Sequence, residues 1–378
     1  MAFKIKDFLY YTAFILEIIY TIGSDIPVVG KISNYLNILI ILLLSIIFVV
    51  QSKKYPLKKF IFLILSLFLF IVSSYVSKNK TFIILYLFVV SSKDIDFKKI
   101  MKVDMITKIL LTMLIVISWK FGLMPEKIMI RGDLVRHSWG FNHPNLFGLC
   151  IFSIGCDYFF IKYKKTNIID YLFFAICFII CTIICGSRSA QIGLISVFIF
   201  SKLLPKIENK TKSNKFMVYL PAFLLLLSYF ITIIYPFNLN IINTINGILS
   251  SRIKLSYSFL SYYGINLWGH YFQYYNVRYT YAYFYALDNA YMYMLIKYGL
   301  VLTTLIIFLF SKIIKKSIDT KNYQVLVYLL PFLIYGLMEK YLIIFQYNIV
   351  LLYGTSTLLF NKKILEHSNI SNGGVNNA

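Results

Sequence analysis

Charged residues are scarce in this sequence. They make up 14% of its 378 residues, whereas soluble domains carry about 25%. Apolar residues supply 59% and aromatic residues 18%, and several apolar runs approach the roughly 20 residues needed to cross a hydrocarbon core. The composition therefore excludes an ordinary soluble domain and predicts an all-α, polytopic transmembrane helical bundle.

Several signatures of soluble enzymes are also missing. The sequence contains no P-loop, no glycine-rich dinucleotide fingerprint, no HExxH and no GxSxG. Its one Asp-x-Asp pair, Asp94 and Asp96, is predicted to lie on the inner side. We therefore expect no nucleotide-driven chemistry, no metal and no cofactor. A donor substrate that is anionic and already activated would fit these absences better.

Cysteines are few, and all five lie inside apolar segments. Cys177, Cys181 and Cys185 share one helix face, but no histidine or carboxylate joins them there. We interpret them as small packing residues, with a metal site or a disulfide as the alternatives. The first apolar run contains Glu17 and lacks a small-residue cleavage site, so a retained span is expected instead of a signal peptide.

Twelve apolar segments are predicted to cross the membrane. They lie near residues 8–22, 35–50, 57–76, 81–92, 105–122, 144–161, 168–185, 188–204, 216–236, 289–310, 322–338 and 341–360. With both termini in the cytoplasm, 25 of the 33 lysines lie inside, seven lie outside and Lys297 lies within a span. The positive-inside rule therefore predicts cytoplasmic termini. The net charge of +23 then reflects topology, and no nucleic-acid partner is expected.

The predicted membrane domain covers residues 1–367, and its outer loops are 123–143, 186–189 and 237–288. The long loop 237–288 is expected to be partly helical, and its many tyrosines suit either interfacial anchoring or sugar contacts. The polar tail 368–378 is rich in Gly and Asn and is predicted to be disordered.

Arginine is much rarer here than lysine, with five residues against 33, and its distribution along the chain is different. All five arginines fall on the predicted outer face: Arg131, Arg136, Arg188, Arg252 and Arg278. A guanidinium grips phosphate with two parallel hydrogen bonds, which an ammonium cannot do. The pattern favours a phosphate-binding site. The alternative is that the arginines only pair with outer carboxylates or lipid headgroups.

The stretch RGDLVRHSWGFNHPNLFG, residues 131–148, is the most polar one among these apolar runs. Pro144 suits the first position of a helix, with His143 as its cap. Such a helix start directs free N–H groups at an anion, and Asn142 and Asn145 lie beside it. The alternative is a helix-start signal with no further role.

Three further places on the outer face carry candidate residues. In Gly186-Ser187-Arg188, the glycine suits a left-handed helix end and Ser187 suits the cap of the next helix; the alternative is an ordinary helical hairpin. Asp288 opens the tenth span as a helix cap or as a general base. Glu339 is a further candidate carboxylate on this face, with an ion pair to Lys340 as its alternative.

Four motifs stand in order on this face: GFNHPN, GSR, an SR followed by YGINLWG, and DNAYMYMLIKYG. Over residues 131–299 the chain resembles the Wzy-type oligosaccharide repeat-unit polymerases, which form one polytopic superfamily with the O-antigen ligases. The ligase branch usually has a histidine where this chain has Asp288. That difference favours a polymerase.

The resemblance implies transfer of a polyprenyl-diphosphate-linked glycan onto a lipid-linked repeat unit, in capsule, exopolysaccharide or O-antigen synthesis. For such a transfer, the chemistry of the side chains favours catalytic roles for Arg188 and Arg252 at the donor diphosphate, and for His143 or Asp288 at the acceptor hydroxyl. Substrate-binding roles are expected for eight more residues: Arg131, Arg136, Asn142, Asn145, Ser187, Arg278, Asn289 and Glu339.

The expected partners are the lipid-linked donor and acceptor, the bilayer, and flippase and chain-length regulator proteins. The alternatives are a ligase that transfers finished glycans, or a flippase or transporter of lipid-linked sugars. A transporter is expected to place charges within its spans near the midplane. Such charges are sparse in this sequence.

Overall fold

A computed structural model describes residues 2–52, 55–208, 214–272 and 286–360. Arg278 and the tail 368–378 lie outside the described residues. The described α-helices are α1 (Ala2–Ile22), α2 (Pro27–Ser52), α3 (Leu57–Ser77), α4 (Thr81–Ser91), α5 (Phe97–Lys120), α6 (Pro144–Ile161), α7 (Ile168–Ile179), α8 (Arg188–Ile207), α9 (Leu220–Ile234), α10 (Asn240–Ile248), α11 (Arg252–Tyr263), α12 (Ala290–Tyr293), α13 (Gly299–Asp319), α14 (Gln324–Tyr335) and α15 (Ile349–Phe360).

Six helical segments among the described residues are long and apolar enough to cross a membrane. They are Pro27–Gln51, Phe60–Ser77, Pro144–Ile161, Arg188–Ile207, Lys215–Phe237 and Ala290–Asp319. Four shorter apolar helices accompany them: Thr81–Ser91, Ile168–Ile184, Gln324–Tyr335 and Ile349–Phe360. The protein is therefore a helical membrane protein. The count of twelve spans and the side of the termini stay predictions.

Strands are confined, in the part of the chain that is described, to one hairpin in the loop 123–143. Its strands are β1 (Met129–Arg131) and β2 (Leu134–Arg136), which pair antiparallel with Arg131 opposite Leu134. The sequence did not predict this hairpin, although the all-α fold class holds for the rest. The loop 237–288 is partly helical as predicted, because it contains α10 and α11.

Small residues bring α6 and α8 unusually close together. A Cβ added to Gly148 would lie 2.8 Å from the Cβ of Ser187, and one added to Gly155 would lie 2.7 Å from a methyl group of Leu194. Any larger side chain at these positions would push the helices apart. The close approach sets the first turns of α6 and α8 side by side, and the chain leaving α14 joins them there.

One group of charged residues is sealed inside the helix bundle, between α5 and α6. The Nζ of Lys108 donates to Oδ2 of Asp104 at 2.6 Å, to Oδ2 of Asp157 at 3.2 Å and to Oγ of Ser153 at 2.7 Å. All three charged side chains are fully buried. Asp104, Lys108 and Asp157 are called the sealed cluster below.

Candidate functional site

The start of α6 is built as the sequence predicts. Pro144 is the first helical residue, and Nδ1 of His143 accepts a hydrogen bond from the Asn145 N–H at 2.9 Å. Burial, followed by the charge of Arg136, lowers the pKa of His143 to about 4, against the opposing effect of Asp288. The ring is therefore neutral at neutral pH. Since Nδ1 accepts, Nε2 carries the proton and can only donate.

The turn before α8 follows the prediction at one residue and departs from it at another. Gly186 adopts the left-handed conformation with a φ of +52°. Ser187 occupies the cap position of α8, but its side chain makes no capping hydrogen bond. Its Oγ lies 3.3 Å from Oγ of Ser189 instead. The predicted capping role of Ser187 is therefore wrong.

The β-hairpin lies directly on this turn. Nε of Arg136 donates to the Cys185 carbonyl at 3.0 Å, and Nη2 of Arg131 donates to the Gly186 carbonyl at 3.4 Å. A Cβ on Gly186 would come within 2.8 Å of Leu134 and 2.9 Å of the Arg136 side chain. The absence of a side chain at Gly186 therefore lets the hairpin set both arginines over the starts of α6 and α8.

Glu339 connects three distant segments of the chain. Its Oε1 accepts hydrogen bonds from Asn145 Nδ2 at 2.8 Å, Ser189 Oγ at 2.9 Å and Arg252 Nη2 at 2.6 Å. Only 2% of Glu339 is exposed. The first turns of α6, α8 and α11 thus converge on Glu339, which lies in the turn beyond the end of α14 at Tyr335. Its ion pair is with Arg252, so the alternative of a simple pair with Lys340 is wrong.

Burial has the largest effect on the Glu339 carboxyl. It raises the pKa of Glu339 to about 7, and the charge of Asp288 acts in the same direction. Arg252 and the hydrogen bond from Ser189 oppose this shift. A carboxyl with a pKa near 7 changes charge within the physiological range, so the grip of Glu339 on Arg252 depends on pH.

Asp288 does not cap a helix, which was the alternative role considered for it. The cap of α12 is Asn289, whose Oδ1 accepts from the N–H groups of Tyr291 and Met292 at 3.0 Å each. Oδ2 of Asp288 lies 3.7 Å from Nε of Arg252. Its side chain is 26% exposed against 3% for that of Glu339. Asp288 is therefore the more accessible of the two carboxylates beside Arg252.

The remaining candidates lie around this centre. Arg188 is exposed at the first position of α8, and its guanidinium is 3.5 Å from the Ile248 carbonyl. Arg136 donates to Oδ1 of Asn145. Asn142 is exposed and accepts from Nζ of Lys127 at 3.1 Å. Asn289 also donates through Nδ2 to the Leu337 carbonyl at 3.1 Å, which ties the start of α12 to the turn carrying Glu339.

Positive charge is in excess here. Among the described residues, the carboxylates that interact with Arg131, Arg136, Arg188 and Arg252 are Asp288 and Glu339. These six residues are called the arginine cluster below. Burial and then the charges of Arg188 and Arg252 lower the pKa of Arg131. Burial and Arg131 lower the pKa of Arg136 to about 10. The N-termini of α6 and α8 add further positive potential. The arrangement suits an anion with two negative charges.

Sequence reasoning missed two features of this site. Ser189 contributes a hydrogen bond to Glu339, and no local pattern distinguishes it from other serines near a helix start. A cavity of about 300 Å³ also opens beside Arg252 and Asn289. Its walls are mainly aliphatic, with Leu227 and Ile231 of α9 opposite Ile192 of α8. The residues that line this cavity come from five helices, α8, α9, α10, α11 and α14, so no single stretch of sequence could predict it.

No family model, curated protein or solved structure matches the chain. Fold and site together define the class: a helical membrane protein with an arginine-rich polar site at the ends of several apolar helices.

Proposed function

We propose that this protein polymerises polyprenyl-diphosphate-linked oligosaccharide repeat units at the outer face of the bacterial cytoplasmic membrane. The proposal includes twelve spans, cytoplasmic termini and an extracytoplasmic site. One observation carries it: four arginines from three segments, the hairpin, α8 and α11, lie close together, and Arg252 among them pairs with Asp288. A concentration of guanidinium groups stabilises the charge that develops on a departing diphosphate.

The arginines act on the leaving group. The bond between the anomeric carbon and the donor's diphosphate oxygen breaks, and its electron pair leaves with the diphosphate. Arg131, Arg188 and Arg252 hold that group, and the N-termini of α6 and α8 add to the field. Groups fixed in place before the reaction are typically worth about 3–4 kcal/mol each at the transition state.

Asp288 takes the proton of the attacking hydroxyl. Its carboxylate is the accessible one, and the acceptor oxygen forms its new bond to the anomeric carbon as the proton leaves. His143 cannot be this base, because its Nδ1 is occupied and its Nε2 carries a proton. It donates a hydrogen bond that orients a sugar oxygen instead.

The aliphatic cavity gives the donor's lipid a place next to its diphosphate. Arg252 lines it together with aliphatic residues such as Leu227, Ile231 and Ile253. An isoprenoid chain leaving a diphosphate at Arg252 would bury its first units there. Apolar tail and anionic head would thus be bound by neighbouring parts of one site.

Transport of lipid-linked sugars is the second candidate function, and the sealed cluster is the observation that favours it. Charged residues within membrane helices often belong to transport pathways. Here, however, Asp104, Lys108 and Asp157 are fully buried against one another. The arginine cluster, by contrast, includes the exposed Arg188. Chemistry at the open cluster fits these exposures better.

The test replaces Arg252 or Arg188 by lysine in a strain whose surface polysaccharide is resolved on a gel. Lysine keeps the charge but loses the two-pronged geometry. We expect long chains to disappear and single repeat units to remain, with a stronger effect at Arg252 because it is held by two carboxylates. Lys312→Arg on α13 is the matched control and should leave the ladder intact.

Unchanged long chains in Arg252→Lys would contradict the proposed clamp. A ligase gives a different result, because its loss leaves full-length glycans on the lipid carrier and only their final transfer fails. A transporter loss leaves repeat units on the inner leaflet, where an outer-face label cannot reach them.

A further inference from the structure

Lys297 is held in place by an unusual break in the helix that follows α12. A π-helical turn, Met294–Tyr298, ends at Gly299, which has a φ of +80°. The segment 264–272 crosses this break, and the His270 N–H donates to the Lys297 carbonyl at 3.0 Å. A Cβ on Gly269 would overlap that carbonyl. The backbone around Lys297 therefore has little freedom.

The Lys297 side chain is buried and has no ion pair with any described residue. Only 6% of the residue is exposed. Its Nζ lies 4.8 Å from the centre of the Phe272 ring and 5.8 Å from that of Tyr293. Of the carboxylates that the structure describes, none is within ion-pair distance. Aromatic faces offset only part of the cost of burying an ammonium.

A second lysine approaches the same tyrosine. Nζ of Lys340 lies 5.9 Å from the centre of the Tyr293 ring and 5.8 Å from that of Tyr341. It too has no ion pair within the described part of the chain. Two ammonium groups at one ring repel each other, and an anion between them would remove the repulsion. The pair is next to the arginine cluster, because Lys340 follows Glu339 directly.

We propose that Lys297 and Lys340 form a second anion site, which holds the diphosphate of the lipid-linked acceptor. This proposal rests on the proposed function, since that reaction joins two substrates that each carry a diphosphate. The donor's diphosphate gains negative charge as it leaves, and it is bound by the planar guanidinium groups of the arginine cluster. The acceptor's diphosphate keeps its charge throughout, and lysine binds such a group as a point charge.

The first experiment counts bound diphosphates without requiring any reaction. Native mass spectrometry of the full chain with geranylgeranyl diphosphate should show two bound molecules for the wild type and one for Lys297→Met. Arg252→Ala should also bind one, and the double variant none. Lys312→Met is the matched control, since Lys312 also lies over an aromatic ring, at 5.0 Å from that of Phe308, and it should keep two.

A wild type that binds one molecule, or a Lys297→Met variant that still binds two, would overturn the proposal. Displacement of the lysine-dependent molecule by an equal concentration of phosphatidylglycerol would also overturn it, because the site would then hold an ordinary lipid headgroup. If Lys297→Met does not fold, Lys340→Gln tests the same site at a less buried residue.

The second experiment separates this proposal from the proposed function. In polymerisation with a defined lipid-linked repeat unit, Lys297→Met should raise the acceptor KM about tenfold or more while kcat stays within a factor of two or so, as expected for a lost charge-assisted contact in binding. Loss of kcat with an unchanged acceptor KM would overturn the acceptor role.

A wild type with no polymerisation would refute the proposed function, and the count of bound diphosphates would still decide whether the lysine site exists.

Discussion

Two places in this protein set one cation between two carboxylates. In the sealed cluster, Nζ of Lys108 lies 2.6 Å from Asp104 and 3.2 Å from Asp157. In the arginine cluster, Arg252 lies 2.6 Å from Glu339 and 3.7 Å from Asp288. The local pairing is similar, but the surroundings differ. The first group is fully buried, whereas the second is partly exposed and has three more arginines beside it.

The difference indicates that similar charges suit a structural role in the sealed cluster and a binding role in the arginine cluster. The sealed cluster has no excess of positive charge, and a ligand cannot reach it without opening the helix bundle. The arginine cluster keeps unneutralised guanidinium charge and an accessible carboxylate, Asp288, so a polyanion can complete it. Charge balance together with access identifies the candidate site; charged residues alone do not.

The largest expected effect tests the structural role of the sealed cluster. Lys108→Met leaves two buried carboxylates without their cation, and we expect a loss of about 3–5 kcal/mol in the free energy of unfolding. Folded protein in detergent, measured by its yield and thermal melting, should fall sharply. The neutral combination Asp104→Asn, Lys108→Met and Asp157→Asn should recover much of it.

The triple variant, if it is stable, then tests whether the sealed cluster has any role in function besides structure. If it folds and polymerises normally, the sealed cluster has no part in the chemistry. If it folds but lipid-linked sugars accumulate on the inner leaflet, the cluster belongs to a transport pathway and the second candidate function gains support. Full stability of Lys108→Met alone would contradict the structural role.

A smaller effect is expected where the β-hairpin rests on Gly186. In Gly186→Ala the added Cβ is strained by the left-handed φ and overlaps the side chains of Leu134 and Arg136. The hairpin must therefore move away from the turn. We expect a cost of about 1–3 kcal/mol and a loss of activity of roughly tenfold or more, because Arg131 and Arg136 move. Chain-length ladders and thermal melting measure the two effects.

Gly132 provides the matched control for that substitution. It also has a left-handed φ, +57°, but an added Cβ would meet nothing within 4 Å. Gly132→Ala should therefore show the backbone strain alone and keep most of the activity. Equal losses of activity in the two variants would show that contact between hairpin and turn does not position the arginines.

Local patterns predicted the local parts of this site well. The cap of α6 at His143, the left-handed Gly186 and the placement of Arg188 at a helix start all follow from neighbouring residues. Local patterns could not decide which of two adjacent residues caps α12. Asn289 caps α12 although Asp288 could also accept the same bonds, and only the tertiary pairing of Asp288 with Arg252 decides between them.

Long-range contacts were beyond local prediction. Glu339 meets Asn145 from 194 positions away and Ser189 from 150, and nothing in the residues around Glu339 encodes those partners. By distance in sequence alone, the adjacent Lys340 is the expected ion-pair partner of Glu339. The helix packing through Gly148 and Gly155 is what selects the actual partners.

The smallest expected effect concerns the pH dependence of the pair between Glu339 and Arg252. The pKa of Glu339 is raised from 4.5 to about 7. Folding therefore favours the protonated carboxyl. The stabilisation that comes from binding this proton is fully present below pH 4.5 and is lost as the pH rises through about 7. The ionised form grips Arg252, so polymerisation should rise a few-fold between about pH 6 and pH 8. Glu339→Gln should flatten that rise, measured as the initial rate against pH with a defined lipid-linked repeat unit.

His143→Asn separates this effect from titration of the nearby ring. The pKa of His143 is about 4, so its protonation is complete only in acid far below the predicted rise, and asparagine can still cap α6 through its side-chain oxygen. This variant should lower the rate at every pH and keep the shape of the profile. A rise near pH 7 that survives in Glu339→Gln would mean that another group controls the arginine cluster.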